Sequence, residues 1–320
     1  MKKVNFLIIL FLLLFMQLYG FDIQAHRGGR DLYPENTMAA FRNAVDLGVT
    51  TLELDLAMTK DGVIVISHDP YLSYKLVKNN RDSFISKYRD IYFKDLTFSK
   101  VREYSVGSIN PASSYYAAHS TQTAVPGEKI PSLEELFAYT DEIGEDDIRF
   151  NIEIKTYPEN PEYTQPGSDF VNAVLSVVQK YDKASRITIQ SFDWSALTLV
   201  KEQNSEISIV CLTAKNLKLN GKSFNLRLGE RGSSPWLGGL DADDFVTTAE
   251  LVQEFGADVI SPYYRDISLS DIQKAHELGL KIIPWTINDP GIMLRFIGMG
   301  VDGIITDRPD LLIAALSVNN

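Results

Sequence analysis

The sequence has 320 residues, 45% of them hydrophobic and 23% charged, the balance of a globular chain rather than a disordered one. A formal net charge of −11 argues against general nucleic-acid binding. It leaves room for an anionic substrate, because the field within one site can oppose that of the whole chain. The one cysteine, Cys211, excludes an intrachain disulfide, so stability must come from the core, where Cys211 is itself expected.

Met1-Lys2-Lys3 followed by the apolar run Phe6–Met16 has the anatomy of a secretory signal peptide, with cleavage near Gly20. The run falls short of the ~18 residues that cross a bilayer, although reading on to Tyr19 gives an uncleaved anchor as the alternative. No cysteine follows it to carry a lipid. The expectation is an exported bacterial protein, periplasmic or secreted, with residues 1–20 removed and no stable membrane insertion afterwards. Residues 21–320 are expected to form one domain.

From Phe21 onward, short β-rich runs alternate with amphipathic helical ones. Strands are predicted over Phe21–His26, Thr51–Ala57, Arg149–Lys155, Arg186–Ser191, Ile207–Leu212, Ala257–Pro262, Lys281–Ile287 and Gly303–Thr306. Thr37–Leu47 gathers Met38, Phe41, Ala44, Val45 and Leu47 on one helical stripe, and Ser132 with Glu135 forms a capping box for Leu133–Thr140. Further helices are expected over Phe170–Tyr181, Ala249–Phe255, Ser270–Leu278, Pro290–Ile297 and Asp310–Ser317. Eight strands alternating with helices imply the α/β class and a (β/α)8 TIM barrel, in preference to an open doubly wound sheet. Gly28 and Gly29 make no dinucleotide fingerprint, since no G-x-G-x-x-G follows the first strand.

Two departures stand out. "TKDGVIVISHD" sets an Asp61-Gly62 turn between two strand runs, a hairpin arm added to the barrel. The segment from about 70 to 127 then follows, rich in Tyr, Ser, Lys and Asp, an insertion of the length usually seen in functional lids or small subdomains. Ala214–Asp244 is a second irregular excursion.

In "LELDLAM", Glu53 and Asp55 stand two apart, so a strand turns both to one face and Leu52, Leu54 and Leu56 to the other. Carboxylates facing into a barrel repel and lose hydration unless a cation neutralises them. A hard divalent ion does so; ordinary salt bridges are the competing explanation. "NIEIK" repeats the device, adding Glu153 as a third carboxylate and Lys155 as a cation suited to phosphate, or simply a Glu–Lys pair at the rim. His26 ends the first strand and His68 the hairpin run, so at one barrel mouth they could take and give a proton. Arg27 could hold phosphate oxygens in a fork. His119, in the insertion, and His276, on a helix, are expected at the surface. Trp285 either walls the pocket or packs in the core, and Gln190, Ser191 and Tyr263 are weaker candidates for polar contacts at the rim.

The stretch "AHRGG…PENTMAAF…GVTTLELDLAMTKDGVIVISHD" resembles the opening signature of the glycerophosphodiester phosphodiesterases. "NIEIK", "ITIQSF", "PWTIN" and "GVDGIITDRP" resemble the same family in the same order, from about residue 22 to 311. The resemblance implies a (β/α)8 barrel with a small insertion, and hydrolysis of small-molecule glycerophosphodiesters to sn-glycerol 3-phosphate and an alcohol. It implies that His26 and His68 are the acid–base pair and that Glu53, Asp55 and Glu153 bind one divalent cation, Ca2+ or Mg2+. Arg27 and Lys155 would contact phosphate, and Glu35, in "PEN", would orient Arg27 or a metal-site group. Two rivals are a related barrel phospholipase or sphingomyelinase-type phosphodiesterase, which needs an exposed apolar rim, and a non-catalytic exported binding protein. A binding relic should have lost a histidine or an acid, and all five are present. The sequence sets neither head group nor oligomeric state.

Overall fold

Runs rich in Ile, Leu and Val supply eight parallel strands: β1 (Asp22–Ala25), β2 (Thr51–Met58), β3 (Arg149–Ile154), β4 (Ile187–Ser191), β5 (Ser208–Thr213), β6 (Val259–Pro262), β7 (Lys281–Ile282) and β8 (Gly303–Thr306). The computed structural model describes residues 20–219, 222–230, 232 and 234–318, so the expected leader, but for Gly20, lies outside the described residues. From β1 to β7 each strand pairs with the next, and β1 also pairs with β8. Across the β7–β8 seam, Asp302 N donates to Ile282 O at 3.0 Å, Ile305 N to Pro284 O at 3.0 Å and Ile287 N to Ile305 O at 3.1 Å. The result is a nearly closed (β/α)8 barrel. The seventh strand is shorter than expected because Pro284 has no N–H to continue a ladder. Trp285 follows the barrel wall beyond it, bridged to Tyr263.

The helices between strands are α1 (Met38–Leu47), α2 (Leu133–Glu142), α3 (Gly167–Lys180), α4 (Trp194–Gln203), α5 (Thr248–Phe255), α6 (Leu269–Glu277), α7 (Pro290–Met299) and α8 (Pro309–Val318). The Ser132–Glu135 capping box is present, Glu135 N reaching Ser132 Oγ at 3.2 Å. Helix α4 lies outside the predicted helices; Asp193 caps it, and its Trp194, Ala196, Leu197 and Val200 are buried. On β2 the alternation holds: Leu52, Leu54 and Leu56 are buried in the main hydrophobic core with residues of the surrounding helices. Cys211 is buried among them.

The arm strand Ile64–Ile66 runs antiparallel to β2, with Leu56 opposite Ile66 and Met58 opposite Ile64. Its residue Val65 joins Leu72, Val77, Phe93, Val101 and Val106 in a separate small core, which gives the insertion a body of its own. The insertion docks on the loop after β1. Thr123 N donates to Leu32 O at 2.8 Å, and Gln122 Nε2 to Arg30 O at 2.7 Å. His119 corrects the expectation of a surface residue: it is buried, its Nδ1 against Asp31 and its ring 4.2 Å from that of Tyr115. The docking of 119–123 on the β1 loop covers it. His276 is exposed as expected and pairs with Asp302 at 3.0 Å.

Candidate active site

Chemistry-bearing side chains collect at the C-terminal ends of β1, β2, β3 and β8, the end where barrel enzymes place their sites. Parallel register puts Asp55 beside Glu153 and Glu153 beside Gln190, so strand alternation turns a row of polar side chains inward. Beneath them lies a hydrogen-bonded layer. Asn151 Nδ2 donates to Gln24 Oε1 at 2.7 Å and Gln190 Oε1 at 2.9 Å, and Gln190 Nε2 donates to Glu53 Oε1 at 2.7 Å. This layer fixes the depth and rotamer of Glu53.

β1 stops at Ala25, and His26 opens a tight turn rather than ending the strand. Arg27 adopts φ 52°, ψ 33°, a left-handed conformation that costs an L-residue about 1–2 kcal/mol. Its backbone is held by two bonds: Arg27 N donates to Glu53 Oε2 at 2.8 Å, and Asn36 N donates to Arg27 O at 2.9 Å. Gly28 follows at φ 81°, where a Cβ would lie 2.8 Å from Ala40 Cβ. The turn thus sets the Arg27 guanidinium among carboxylates. Its Nη1 donates to Glu35 Oε1 at 2.9 Å, and its Nε stands 3.2 Å from Asp55 Oδ2.

His26, Arg27, Glu53, His68, Glu153, Lys155 and Trp285 line one cleft of about 490 Å³. Asp55 is buried beneath its wall, while Glu35 lines an adjoining cavity together with His68. Trp285 lines the cleft and also packs on the small apolar cluster of Val210, Val259, Ile283 and Ile305. Of the weaker candidates, Gln190 supports Glu53, whereas Ser191 donates to Ile154 O at 2.7 Å and is structural.

Several groups that bear on the site were assigned no role from sequence. Asp307 Oδ1 lies 2.5 Å from His26 Nδ1 and accepts from Arg30 Nε at 2.7 Å, while its Oδ2 accepts from Asn288 Nδ2 at 2.7 Å. Asn36 Nδ2 donates to Asp55 Oδ2 at 2.9 Å, and Tyr115 of the insertion donates its hydroxyl to Glu35 Oε2. Asp307 and Asn36 do lie within quoted motifs, "TDRP" and "PEN".

One oxygen each of Glu53, Asp55 and Glu153 falls within 4.8 Å of the others, a grouping that could hold a metal ion. Asp55 Oδ1 is buried with no hydrogen-bond donor, its nearest cation being Lys155 Nζ at 3.4 Å. That orphaned oxygen and the all-carboxylate donor set fit a hard cation. Electrostatics agree. Burial, then Asp55, pushes Glu53 well above the usual carboxylate range, and burial pushes Glu153 up to about 7 despite Lys155 at 2.9 Å. Burial would raise Asp55 as well, but Arg27 and Lys155 outweigh it and hold that carboxylate well below its ordinary value. Burial likewise lowers His26 to about 4, with Arg30 and Arg27 adding to it and Asp307 opposing. His68 is lowered by burial, then by Arg27 and Lys155; its Nδ1 lies 2.9 Å from Asp69 Oδ1. Both rings are therefore neutral imidazoles near pH 7, each with one nitrogen against a carboxylate.

The family model for the glycerophosphoryl diester phosphodiesterase family matches residues 26–311. The chain belongs to the glycerophosphoryl diester phosphodiesterase family. As a member of that family it is a phosphoric diester hydrolase. It is 30% identical over 289 residues to a glycerophosphodiester phosphodiesterase of Caldanaerobacter subterraneus subsp. tengcongensis, covering 90% of this chain and 95% of the relative. A Silicibacter pomeroyi crystal structure, a candidate enzyme of the same name, superposes with a TM-score of 0.80 at 26% identity, covering 95% of this chain and 97% of the other. An Oleispira antarctica phosphodiesterase bound to sn-glycerol-3-phosphate shares the fold, with a TM-score of 0.66 at 20% identity over 93% of this chain and 98% of that one.

Proposed function

We propose that the chain hydrolyses glycerophosphodiesters to sn-glycerol 3-phosphate and an alcohol, using His26 and His68 as the acid–base pair. The observation that carries this is their convergence: two imidazoles, two arginines, a lysine and two carboxylates from distant segments line one cleft, with Asp55 just behind. One divalent cation, Ca2+ or Mg2+, held by Glu53, Asp55 and Glu153, would supply Lewis acidity toward a phosphate oxygen.

The chain's own residues do the rest. Asp307 keeps the His26 proton on Nδ1 and leaves Nε2 available to the substrate; Asp69 does the same for His68. One neutral ring can accept the proton of the attacking group, a water or the glycerol hydroxyl, while the other, once protonated, delivers one to the leaving alcohol. Where the glycerol hydroxyl attacks, a water then opens the cyclic phosphate to glycerol 3-phosphate. Arg27 and Lys155, both kept charged by surrounding carboxylates that outweigh their burial, present donors to the phosphate. Glu35 holds Arg27 in place, and Trp285 walls the substrate's apolar side.

We read residues 1–20 as a cleaved export leader on the strength of Met1-Lys2-Lys3 and the apolar run after it. Residues 21–320 are read as one catalytic domain. No helix among the described residues is long and apolar enough to cross a membrane.

The test is hydrolysis of glycerophosphocholine and glycerophosphoethanolamine, with lysophosphatidylcholine and sphingomyelin beside them. We expect turnover of the first two, loss on chelation and recovery with calcium or magnesium. His26→Ala and His68→Ala should each cut kcat by about 10²-fold or more. Activity indifferent to chelator, or confined to the intact lipids, would overturn the proposal.

A further inference from the structure

Four tyrosines from two separate segments form one run of ring contacts, Tyr71 and Tyr92 from the insertion, Tyr157 and Tyr163 from the connection between β3 and α3. Tyr71 meets Tyr92 edge-on at 5.8 Å between ring centroids, Tyr92 stacks on Tyr163 at 5.4 Å, and Tyr163 meets Tyr157 edge-on at 5.8 Å. All four are half-buried, so the cluster is neither core nor free surface. It adjoins the site at both ends: Tyr71 shares a cavity with His68 and Asp69, and Tyr157 follows Lys155 by two residues.

Carboxylates accompany the rings. After burial, Asp69 is a cause of the raised pKa of both Tyr71, pushed up to about 12, and Tyr157. Asp90 acts on Tyr71 and Tyr92, and Glu162 on Tyr92. The cleft that holds His26 and Lys155 differs, with Phe192, Leu212, Trp285 and Ile305 giving it an apolar face.

Aromatic faces carry negative potential and attract cations, quaternary ammonium groups above all, because these cannot hydrogen-bond and are readily stripped of water. Lys94 Nζ already stands 6.0 Å from the Tyr92 centroid, one cation drawn to a ring of the cluster. A glycerol or inositol head group would gain little from such a surface.

Resting on the phosphodiesterase reading above, we propose that Tyr71, Tyr92, Tyr157 and Tyr163 form the subsite for a quaternary-ammonium head group on the alcohol portion of the diester. The preferred substrate class is therefore choline-type glycerophosphodiesters.

The experiment compares kcat/KM for glycerophosphocholine with that for its neutral isostere, the 3,3-dimethylbutyl diester, which has the same shape without the charge. We expect a preference of about tenfold or more for the cation. The ratio should fall toward one in Tyr92→Leu and Tyr163→Leu. Should these variants fold poorly, tetramethylammonium against the wild-type enzyme replaces them. It should compete with glycerophosphocholine, where sodium chloride at equal ionic strength does not. Equal kcat/KM for the two diesters, a variant ratio that does not fall, or no competition would overturn the proposal. Failure to hydrolyse all three, the two diesters and glycerophosphoglycerol, would instead remove the underlying phosphodiesterase reading.

Discussion

Asp307 Oδ1 stands 2.5 Å from His26 Nδ1, so the residue after the last barrel strand fixes the imidazole that follows the first. Three donors converge on this one carboxylate: His26 and Arg30 on Oδ1, Asn288 on Oδ2. Burial would raise its pKa, but His26 and Arg30 outweigh it and keep the group ionised. An amide could not replace it, because in either orientation its NH2 would meet a donor. Asp307→Asn should therefore leave the substrate contacts in place but lose the tautomer and ring orientation, lowering kcat by about 10²-fold with KM little changed. Steady-state kinetics decide; a wild-type kcat would show that Asp307 does not act through His26.

The depressed imidazoles make stability fall on the acid side of neutrality. Burial holds His26 at about 4, against an ordinary value of 6.5. Between those two values the unfolded chain binds more protons than the folded one, so stability decreases as pH drops through the window. Asp69, depressed to about 2 because His68 outweighs its burial, works at lower pH. Its contribution is complete above its ordinary 3.8 and is lost as pH falls toward 2. Urea midpoints from pH 7 to 4.5 should fall more steeply for wild type than for His26→Gln. Parallel slopes would mean the ring is not buried neutral.

The barrel and its acids were legible because periodicity and strand alternation are local properties. "LELDLAM" alone puts leucines outward and acids inward, and β2 does so. Helix α4 was equally local, with Asp193 as cap and Trp194, Leu197 and Val200 on one stripe. What could not be read was long-range pairing. Nothing near Asp307 in the chain points to His26, whose bond to it spans 281 positions, and nothing near Tyr115 points to Glu35, 80 away. The predicted seventh strand outruns the observed one because its apolar run continues past the proline that interrupts the ladder.

Tyr115 gives the insertion a measurable influence on the cleft. Glu35 shares its two oxygens between Arg27 Nη1 and the Tyr115 hydroxyl, so the insertion steadies the carboxylate that steadies the arginine. Removing that hydroxyl frees Glu35 to swing and loosens Arg27 without touching either histidine. A hydrogen bond to a charged group contributes about 1.5–3 kcal/mol, and 1.4 kcal/mol is tenfold in affinity. Tyr115→Phe should thus raise KM by about tenfold while kcat changes little. A loss confined to kcat would place its effect on His26 or His68 instead.

Cation binding should release protons. With Glu153 pushed up to about 7 and Glu53 also raised by burial and Asp55, the three acids together retain protons near neutrality. A divalent cation requires ionised oxygens and must displace them. Affinity for calcium or magnesium should therefore tighten as pH rises through about 7 and then level off. Calorimetric titrations in two buffers of different ionisation heat should find protons released at pH 6 and fewer at pH 8. Glu153→Gln should weaken binding and reduce the release. An affinity that stays flat from pH 5.5 to 8.5 would mean that Arg27 and Lys155 already hold all three carboxylates ionised, leaving the cation no proton to displace.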